Sequence, residues 1–466
     1  MKPYDLVILG GGAAAFAAAT AASEKDFSVA LLNAGLPLGG TCANVGCVPS
    51  KFMLETAARY YYAVHSPFSA ISLKGRLDFK KAIAQKNDLV TGLRKTNYED
   101  ILASQPKTDF FSGFGKFVNA HTVSVGDRLV HGKKILIATG TSPFIPPIPG
   151  LKDSPFLTNR SALELTRLPE KLLVLGAGPI GLEFGQFFRH FGSEVTVVEL
   201  EPEILPNVEP VVARSLRDAL EEEGIQFATG TRVTQVDFRD GEFHVKAKRG
   251  QKSVAFTATH LLVATGVQAN TAKLELGKAG VLTDKRGFVQ TDAGYRTSTS
   301  HIFAAGDVIG PPFLETVAAK EGKLAAENAL LGTEKTINYL EVPAVVFTHP
   351  QVATVGITEA EYARQHGVCT CRTVPLEIVP KARILGLKHG VVQLVVNHET
   401  EVIEGAHVVA PNAAEFIHEA ALAVKFKLTI HDLIDTVHVF PTLSESLKIT
   451  AQAFTRNVFQ MTCCVG

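Results

Sequence analysis

Two pairs of cysteines stand near the two ends of this 466-residue chain. Cys42 and Cys47 lie in the segment GTCANVGCVPSK, whereas Cys463 and Cys464 are adjacent, just before the final Val-Gly. Cysteine thiolates bind soft metal ions and carry out disulfide exchange. Adjacent thiols on a short tail can hold a soft ion in a mobile place, and a pair beside a redox cofactor can present that ion for electron transfer. The two dithiols together predict a thiol relay.

The residues around the two pairs refine this prediction. A helix is predicted from about residue 50 to 65, and the dipole at its amino end would lower the pKa of a preceding thiol. Lys51 would share the helix face of Cys47 and add positive charge.

A disulfide between Cys463 and Cys464 would close a strained ring, so we expect reduced thiols there. Cys369 and Cys371 alternate on a predicted strand, so both would face one side, and we interpret them as structural.

A glycine turn follows the first predicted strand. Gly10, Gly12 and Ala15 fit the pattern GxGxxA, in which the first glycine makes the turn, the second admits a pyrophosphate and the alanine allows close helix packing. Asn33 stands where an acidic residue normally accepts the ribose hydroxyls, and its amide can still form hydrogen bonds. The unit from Tyr4 to Asn33 is therefore predicted to bind a dinucleotide.

A second glycine turn contains Gly176, Gly178 and Gly181 and is followed, about 20 residues on, by Glu199. A carboxylate in that place accepts hydrogen bonds from the ribose hydroxyls of NADH and repels the 2′-phosphate of NADPH. This favours NADH, although a solvated glutamate at a strand end remains an alternative. Two such units imply two nucleotides.

The order of predicted elements indicates an α/β fold with two Rossmann-like dinucleotide-binding domains and a C-terminal α+β dimerisation domain. Apolar strands ending in Ala-Thr-Gly recur before residues 140 and 266, and a proline-rich stretch follows the first of them. We therefore expect residues 1–150 and 267–340 to form the first nucleotide-binding domain, 151–266 the second and 341–466 the dimerisation domain.

Composition excludes several classes of partner. The 46 basic and 46 acidic residues give a formal net charge of +0, so no global field favours nucleic acid or an anionic membrane. No apolar run approaches the ~20 residues of a membrane span. The chain opens directly on an apolar strand without a signal-peptide pattern, so we expect a cytoplasmic protein. Six cysteines in so long a chain favour catalysis or metal binding over a disulfide scaffold.

On the GTCANVGCVPSK segment and both glycine turns, the chain resembles the flavoprotein disulfide reductases over nearly its full length. The resemblance implies that the Cys47 thiolate lies against the FAD isoalloxazine and that Cys42 is the exchange thiol. It implies that Lys51 lies near flavin N5 and pairs with Glu183. The other expected cofactor contacts are Thr41, in the dithiol segment, and five residues that follow predicted strands: Thr139, Gly140, Gly266, Gly306 and Asp307.

Within that group, the ending CCVG and the segment 343–356 resemble the mercuric reductases. The resemblance implies a homodimer that reduces Hg(II) to Hg(0) with NADH or NADPH through FAD. Cys463 and Cys464 of one subunit would receive the ion from small thiols and pass it to Cys42 and Cys47 of the other. An N-terminal metal-carrying domain with a Met-Thr-Cys-x-x-Cys motif is not expected.

Phe440 departs from both patterns. Lipoamide and glutathione reductases carry a proton-transferring histidine in the corresponding motif, and many mercuric reductases are expected to carry a tyrosine there. Phenylalanine transfers no proton, which disfavours the usual dithiol exchange. Tyr98 is then the remaining candidate phenol, or equally a packed aromatic, and His349 and His438 receive no role. A dihydrolipoamide dehydrogenase-like enzyme and a non-enzymatic metal-sequestering thiol protein remain alternatives.

Overall fold

The chain forms five β-sheets covered by helices, in a computed structural model that describes residues 3–368 and 370–461. The first segment contains β1 Tyr4–Leu9, α1 Ala13–Ser23, β2 Val29–Asn33, α2 Gly40–Val45, α3 Cys47–Val64, α4 Phe79–Arg94, α5 Asp100–Ala103, β3 Thr108–Ser112, β4 Gly115–Asn119, β5 Thr122–Val125, β6 Arg128–Ile137 and β7 Thr141–Pro143. A π-helical turn, Lys95–Glu99, joins α4 to α5.

The second segment contains α6 Asn159–Ala162, β8 Lys171–Leu175, α7 Pro179–Phe191, β9 Glu194–Val198, α8 Pro210–Glu222, β10 Gln226–Ala228, β11 Thr231–Arg239, β12 Glu242–Arg249, β13 Lys252–Ala258, β14 His260–Val263 and β15 Val267–Ala269. The remainder contains β16 Ile302–Ala304, α9 Glu315–Leu331, β17 Ala344–Val346, β18 Gln351–Gly356, α10 Glu359–His366, β19 Cys371–Pro375, α11 Pro380–Ile384, β20 Val391–Val396, β21 Ile403–Ala410, α12 Ala413–Phe426, α13 Ile430–Asp435 and α14 Glu445–Gln452.

The first sheet has a parallel core in the order β3-β2-β1-β6, and β16 pairs in parallel with β6 although it follows much later in the chain. Residues 6–9 and 29–32 are buried, as expected for parallel strands covered on both faces. The carboxyl ends of these strands lead into the first glycine turn, Asn33, Thr139 and Gly306. The predicted cofactor contacts of this domain thus follow from one sheet edge.

Helices α1 and α9 pack closely because small residues line their contact. A Cβ atom added to Gly322 would lie only 2.0 Å from the carbonyl oxygen of Ala14. Gly306, which has a φ angle of +77°, also lies close to α1, since a Cβ added to it would be 3.1 Å from the Cβ of Ala14. The alanine-rich sequence of α1 therefore positions the first glycine turn against the loop that carries Asp307.

The second parallel sheet has the order β10-β9-β8-β14 and lies next to the antiparallel sheet β11-β12-β13. Helix α7 follows the second glycine turn and packs on α3. Most of its buried residues are apolar, but Glu183, Gln186 and His190 are also buried. These polar residues recur every three or four positions and so lie on one face of α7.

The C-terminal sheet is antiparallel, in the order β17-β18-β21-β20-β19. Its apolar residues form a core with those of α11 to α14. Two parallel sheets with glycine turns and a C-terminal α+β unit confirm the predicted fold class. Within the described residues, no helix combines the length and the apolar character that a membrane crossing needs.

Several predicted boundaries were wrong. Helix α3 begins at Cys47, not near residue 50, because the glycine before it ends α2 and starts a new helix. The sequence also predicts a last helix over about 444–458, which ends at Gln452. The helix that it predicts over about 78–104 is confirmed as α4, the π-helical turn and α5. The sequence analysis missed the sheet β11-β13, although β12 alternates buried Phe243, Val245 and Ala247 with more exposed residues, the pattern of a half-buried strand.

Replacing Gly322 by alanine tests the α1–α9 contact. We expect Gly322→Ala to lower the free energy of unfolding by about 1–3 kcal/mol, since the added methyl meets backbone that cannot move alone. Gly92→Ala is the matched control, because that exposed glycine of α4 has no atom within 4 Å of its added Cβ. It should gain about 1 kcal/mol. Thermal unfolding of both variants measures this, and equal stability gains would contradict the close contact.

Candidate active site

The dithiol segment lies directly on the first glycine turn. Gly39 and Gly40 have φ angles of +91° and +58°, and a Cβ added to Gly40 would lie 2.7 Å from the Cα of Gly12. Helix α2 then places Cys42 in its first turn, and α3 begins at Cys47. The glycines before Cys42 are therefore required by the close approach of two backbones, which brings the thiols to the nucleotide turn.

The two thiols form an asymmetric pair. A hydrogen bond from Cys42 lowers the pKa of Cys47, and the nearby Lys51 ammonium lowers it further, while burial and the carboxylates of Glu315 and Glu183 oppose the change. The pKa of Cys42 is raised, first by its hydrogen bond to Cys47 and then by burial and Glu315. Cys47 also begins a helix, where the dipole favours an anion. The opposite directions of the two pKa shifts favour a thiolate on Cys47 and a thiol on Cys42 that donates to it.

Lys51 is held by Glu183 of helix α7. Its Nζ atom lies 2.5 Å from Glu183 Oε2, and the Glu183 side chain is only 5% exposed. The other oxygen, Oε1, accepts a hydrogen bond of 2.9 Å from the backbone N–H of Phe347. Lys51 Nζ also lies 4.8 Å from the centroid of the Phe347 ring. The structure therefore brings the predicted Lys51 and Glu183 together and adds Phe347.

Glu315, at the start of α9, was not identifiable from the sequence. Burial raises its pKa from 4.5 to about 7, while a hydrogen bond with Cys42 lowers it and the charge of Asp307 raises it. Glutamate is common in the first turn of a helix, so Glu315 has no distinctive local pattern. It is also far from Cys42 in the sequence, so their contact depends on the fold. Only the packing of α9 on α1 reveals that this carboxyl group belongs to the dithiol site, which we define as Cys42, Cys47, Lys51, Glu183, Glu315 and Tyr98.

Tyr98 lies in the π-helical turn and faces the same site. Its ring packs edge-on against Phe16, with centroids 4.9 Å apart, and its edge would be 2.9 Å from a Cβ on Gly39. Burial raises the pKa of its phenol to about 12, with further contributions from Glu315 and the two cysteines. Tyr98 is therefore both a packed aromatic and a neutral phenol near the thiols.

The residues of the first turn fit an FAD. A Cβ on Gly10 would meet the Ala138 carbonyl oxygen at 2.1 Å, whereas Gly12 has only Gly40 nearby, at 3.7 Å, so the turn is tight and its backbone remains approachable. The Oγ1 atom of Thr139 is buried without a hydrogen-bond partner in the described structure. Such an orphaned hydroxyl suits a polar ligand.

The flanking residues of this turn are also in place. The Asn33 amide lies against Gly11 and donates to the Leu36 carbonyl oxygen at 3.0 Å. Asp307 accepts a hydrogen bond of 3.0 Å from Thr141, and burial raises its pKa. The other predicted contacts lie in α1, in α2 and in the loop after β6: Ala15 is buried in α1, Thr41 is exposed in α2 and Gly140 has φ +63°.

The second turn is built in the same way. Gly176 has φ +104°, and its Cβ would lie 2.5 Å from the Ala264 carbonyl oxygen, while that of Gly181 would lie 2.0 Å from the Gly176 oxygen. No atom lies within 4 Å of a Cβ on Gly178 or Gly266, so a ligand can approach both. Glu199 stands beside this turn.

The Glu199 carboxylate is engaged by the protein itself. Oε2 accepts a hydrogen bond of 2.6 Å from the Ala177 N–H, and Oε1 one of 2.9 Å from the Glu201 N–H. From the sequence spacing, Glu199 was expected either to bind a ribose or to be solvated at the strand end. In the structure its carboxylate is hydrogen-bonded to the backbone of the turn. Two lone pairs stay open for a ribose, because each carboxylate oxygen can accept more than one hydrogen bond.

The predicted tail pair, Cys463 and Cys464, lies outside the described residues, as does Cys369. Cys371 begins strand β19.

Phe440 is 49% exposed, and the nearby Val437 and Val439 are 90% and 75% exposed. His438 is paired with Glu419 at 2.7 Å, and that hydrogen bond raises its pKa. Among the described residues no group of three His, Cys, Asp or Glu side chains forms a metal-binding cluster.

A polarised dithiol lies against one nucleotide turn, and its lysine is held by the helix that follows a second such turn. This arrangement defines a pyridine nucleotide-dependent dithiol oxidoreductase. The model of the pyridine nucleotide-disulphide oxidoreductases matches residues 4–322, and the model of their dimerisation domain matches residues 342–451. The chain belongs to this family, and the resemblance inferred from the sequence is confirmed.

Within this family, the chain is similar to several mercuric reductases. The mercuric reductase of Lysinibacillus sphaericus is 40% identical over 468 residues, which cover 99% of this chain and 85% of the relative. That of Streptomyces lividans is 40% identical over 471 residues, covering 99% and 98%. Among solved structures, the Cu(II) complex of the HOCl-induced flavoprotein disulfide reductase RclA from Escherichia coli has a TM-score of 0.87 at 30% identity, covering 98% of this chain and all of that one.

The raised pKa of Glu315 predicts a pH dependence of stability. Since the folded protein binds this proton more tightly than the unfolded chain, stability from Glu315 is greatest below pH 4.5 and is lost as pH rises through 7. Glu315→Gln stays neutral, so its advantage over the wild type should grow from near zero at pH 4.5 to at most about 3 kcal/mol above pH 8.

Thermal unfolding of the holoenzyme across this pH range measures the difference. Glu334→Gln, which removes an exposed carboxylate, is the control for loss of charge alone and should follow the wild type. Parallel profiles for Glu315→Gln and the wild type would contradict a protonated carboxyl beside Cys42.

Proposed function

We propose that this protein reduces Hg(II) to Hg(0) with electrons from NADH, using FAD and the Cys42–Cys47 dithiol. The observation that carries the proposal is the position of Cys42 in α2 and Cys47 at the start of α3, held against a dinucleotide turn by the close approach of Gly40 to Gly12. The pKa shifts of the two thiols, in opposite directions, support it. The mercuric reductases that are 40% identical over 99% of the chain support mercury as the substrate. When bound, FAD supplies two-electron chemistry that couples a nicotinamide hydride donor to the metal ion.

The chain's own residues divide the work in this proposal. The Cys47 thiolate binds Hg(II) first, and Cys42 then replaces the ion's second sulfur ligand, because thiolates exchange stepwise without releasing a soft ion. Lys51, held by Glu183, keeps positive charge beside Cys47. Tyr98 remains a neutral phenol at this pKa and can donate to a sulfur but does not act as an anionic ligand.

The reaction balances without a further reductant. The hydride of NADH carries two electrons and a proton, and the two electrons reduce Hg(II) to Hg(0). Both mercury–sulfur bonds break with their electron pairs on sulfur, so that one sulfur is left as a thiolate and the other takes up the proton that remains from the hydride. Elemental mercury has little affinity for thiolates, so the Cys42–Cys47 dithiol is regenerated for the next ion.

The proposed domains follow the sheets. Residues 1–150 and 267–340 bind FAD, supported by the pairing of β16 with β6. Residues 151–266 bind the nicotinamide nucleotide, and residues 341–466 form the interface of a homodimer. The matched dimerisation domain and the exposed Val437, Val439 and Phe440 support this assembly.

In this dimer, Cys463 and Cys464 of one subunit would collect Hg(II) from small cytoplasmic thiols and deliver it to the other subunit's dithiol. Phe440 supports a metal substrate, because disulfide exchange needs a proton-transferring residue that phenylalanine does not supply. Reduction of Cu(II) is a second candidate, favoured by the structural similarity to the Cu(II) complex of RclA.

NADH oxidation in the presence of excess thiol tests the substrate. We expect Hg(II) to accelerate oxidation, and Cys42→Ser or Cys47→Ser to abolish the acceleration while retaining bound flavin.

A double variant, Cys463→Ala with Cys464→Ala, should keep turnover of small mercury complexes and lose that of bulky thiol-chelated mercury. Cys371→Ala, which removes a cysteine from β19, is the control and should behave as the wild type.

The same assay separates the alternatives. Acceleration by lipoamide but not by Hg(II) would indicate a disulfide reductase, and acceleration by Cu(II) alone would indicate the second candidate. A protein that binds Hg(II) but neither holds flavin nor oxidises NADH would be a metal-sequestering protein.

Glu199 predicts the coenzyme preference. Its carboxylate, fixed to the Ala177 and Glu201 amides, places negative charge where the 2′-phosphate of NADPH would bind. We expect kcat/KM to favour NADH, and Glu199→Gln to reduce that preference about tenfold, equivalent to ~1.4 kcal/mol. Glu194→Gln, at the opposite end of β9, is the control. An unchanged NADH/NADPH ratio in Glu199→Gln would remove this role.

A further inference from the structure

A glutamine-to-backbone contact lies one helical turn beyond Glu183 on α7. Gln186 is fully buried and pairs with both backbone polar groups of His349. Its Oε1 accepts from the His349 N–H at 2.8 Å, and its Nε2 donates to the His349 carbonyl oxygen at 2.6 Å. Both amide atoms therefore bind the loop 347–349 as a neighbouring strand would.

This loop determines the geometry of the Lys51–Glu183 pair. Glu183 has one oxygen on Lys51 and the other on the Phe347 N–H, and the Phe347 ring lies under the Lys51 ammonium. A shift of the loop would move the amide that orients the Glu183 carboxylate. Lys51 would then lose its fixed position, because a flexible ammonium keeps a defined place only when a partner holds it.

The orientation of Gln186 is itself fixed from the other side. Its Nε2 also donates to Glu223 Oε2 at 2.8 Å, and that oxygen lies 2.9 Å from His190 Nε2. The Tyr62 hydroxyl donates to Glu223 Oε1 at 2.5 Å and lies 3.0 Å from the His349 carbonyl oxygen. Since Nε2 faces only acceptors and Oε1 faces a donor, the network permits one orientation of the amide.

The network spans segments that are far apart in sequence. Tyr62 and Lys51 belong to α3, Glu183, Gln186 and His190 to α7, Glu223 follows α8, and His349 precedes β18. The His190 ring stacks on Tyr61 at 4.0 Å with an angle of 11°, which closes the far end of the group. His190 Nδ1 is buried without a hydrogen-bond partner in the described structure, but Gln186 and Glu223 have partners at both of their polar atoms. Buried side chains with such partners are rigid, so they can hold one geometry against thermal motion.

We propose that Gln186 is a positioning residue for electron transfer: by clamping the 347–349 loop it fixes Glu183 and, through it, the Lys51 ammonium at the flavin. This inference rests on the proposed flavin chemistry of Lys51 but not on the identity of the metal substrate. Gln186 touches neither flavin nor thiol, and its effect passes through Phe347 and Glu183.

Gln186→Met tests the clamp with nearly unchanged volume. Without the clamp, Lys51 stabilises negative charge on reduced flavin less well, so the midpoint potential of bound FAD should become more negative. Reduction of the flavin by NADH in single-turnover experiments should slow about tenfold. Gln393→Met, at an equally buried glutamine of β20 that bonds Glu359, is the matched control and should change neither quantity.

Tyr62→Phe covers the case in which Gln186→Met fails to fold. It removes only the hydroxyl that supports Glu223 and should give a smaller shift of the potential in the same direction. If Gln186 and Tyr62 have a purely structural role, both variants should unfold at lower temperature, while the midpoint potential of bound FAD and its rate of reduction by NADH stay unchanged. That result would overturn the proposal. Because neither measurement contains mercury, failure here is distinguishable from failure of the mercury assay.

Discussion

The charge difference between two sulfurs determines what this site can do. Cys42 donates a hydrogen bond to Cys47, and the helix start and Lys51 favour the anion on Cys47. Two neutral thiols would be poor ligands, and two thiolates at this separation would repel one another. One thiolate beside one thiol gives a nucleophile that captures a soft ion and a second sulfur that completes its coordination by losing a proton.

That asymmetry is maintained by groups from all parts of the described chain. The glycine contact between Gly40 and Gly12 brings the thiols to the first nucleotide turn, and α9 brings Glu315 to the Cys42 side. On the Cys47 side, α7 supplies the Glu183 that holds Lys51. The site is therefore a product of tertiary packing, in which Lys51, Glu183 and Glu315 come from three different helices.

The sequence predicted local features well and long-range contacts poorly. Both glycine turns and the helix after Cys47 follow from short-range patterns, since each needs particular residues at fixed spacing. The contact of Lys51 with Glu183 came from a family resemblance and not from spacing. Glu315 and Gln186 were not identified, because a helix-opening glutamate and a glutamine inside a helix have no distinctive pattern before the packing of α9 on α1 and of α7 on α3 is known.

The central claim is that Cys47, and not Cys42, is the thiolate beside the flavin. It is tested most directly by the visible absorption of holoenzyme variants, because a thiolate in contact with oxidised flavin gives a long-wavelength charge-transfer band. Cys42→Ser keeps a hydroxyl donor to Cys47, so the account predicts that this variant shows the band and that Cys47→Ser lacks it. A band in Cys47→Ser that is absent from Cys42→Ser would contradict the account.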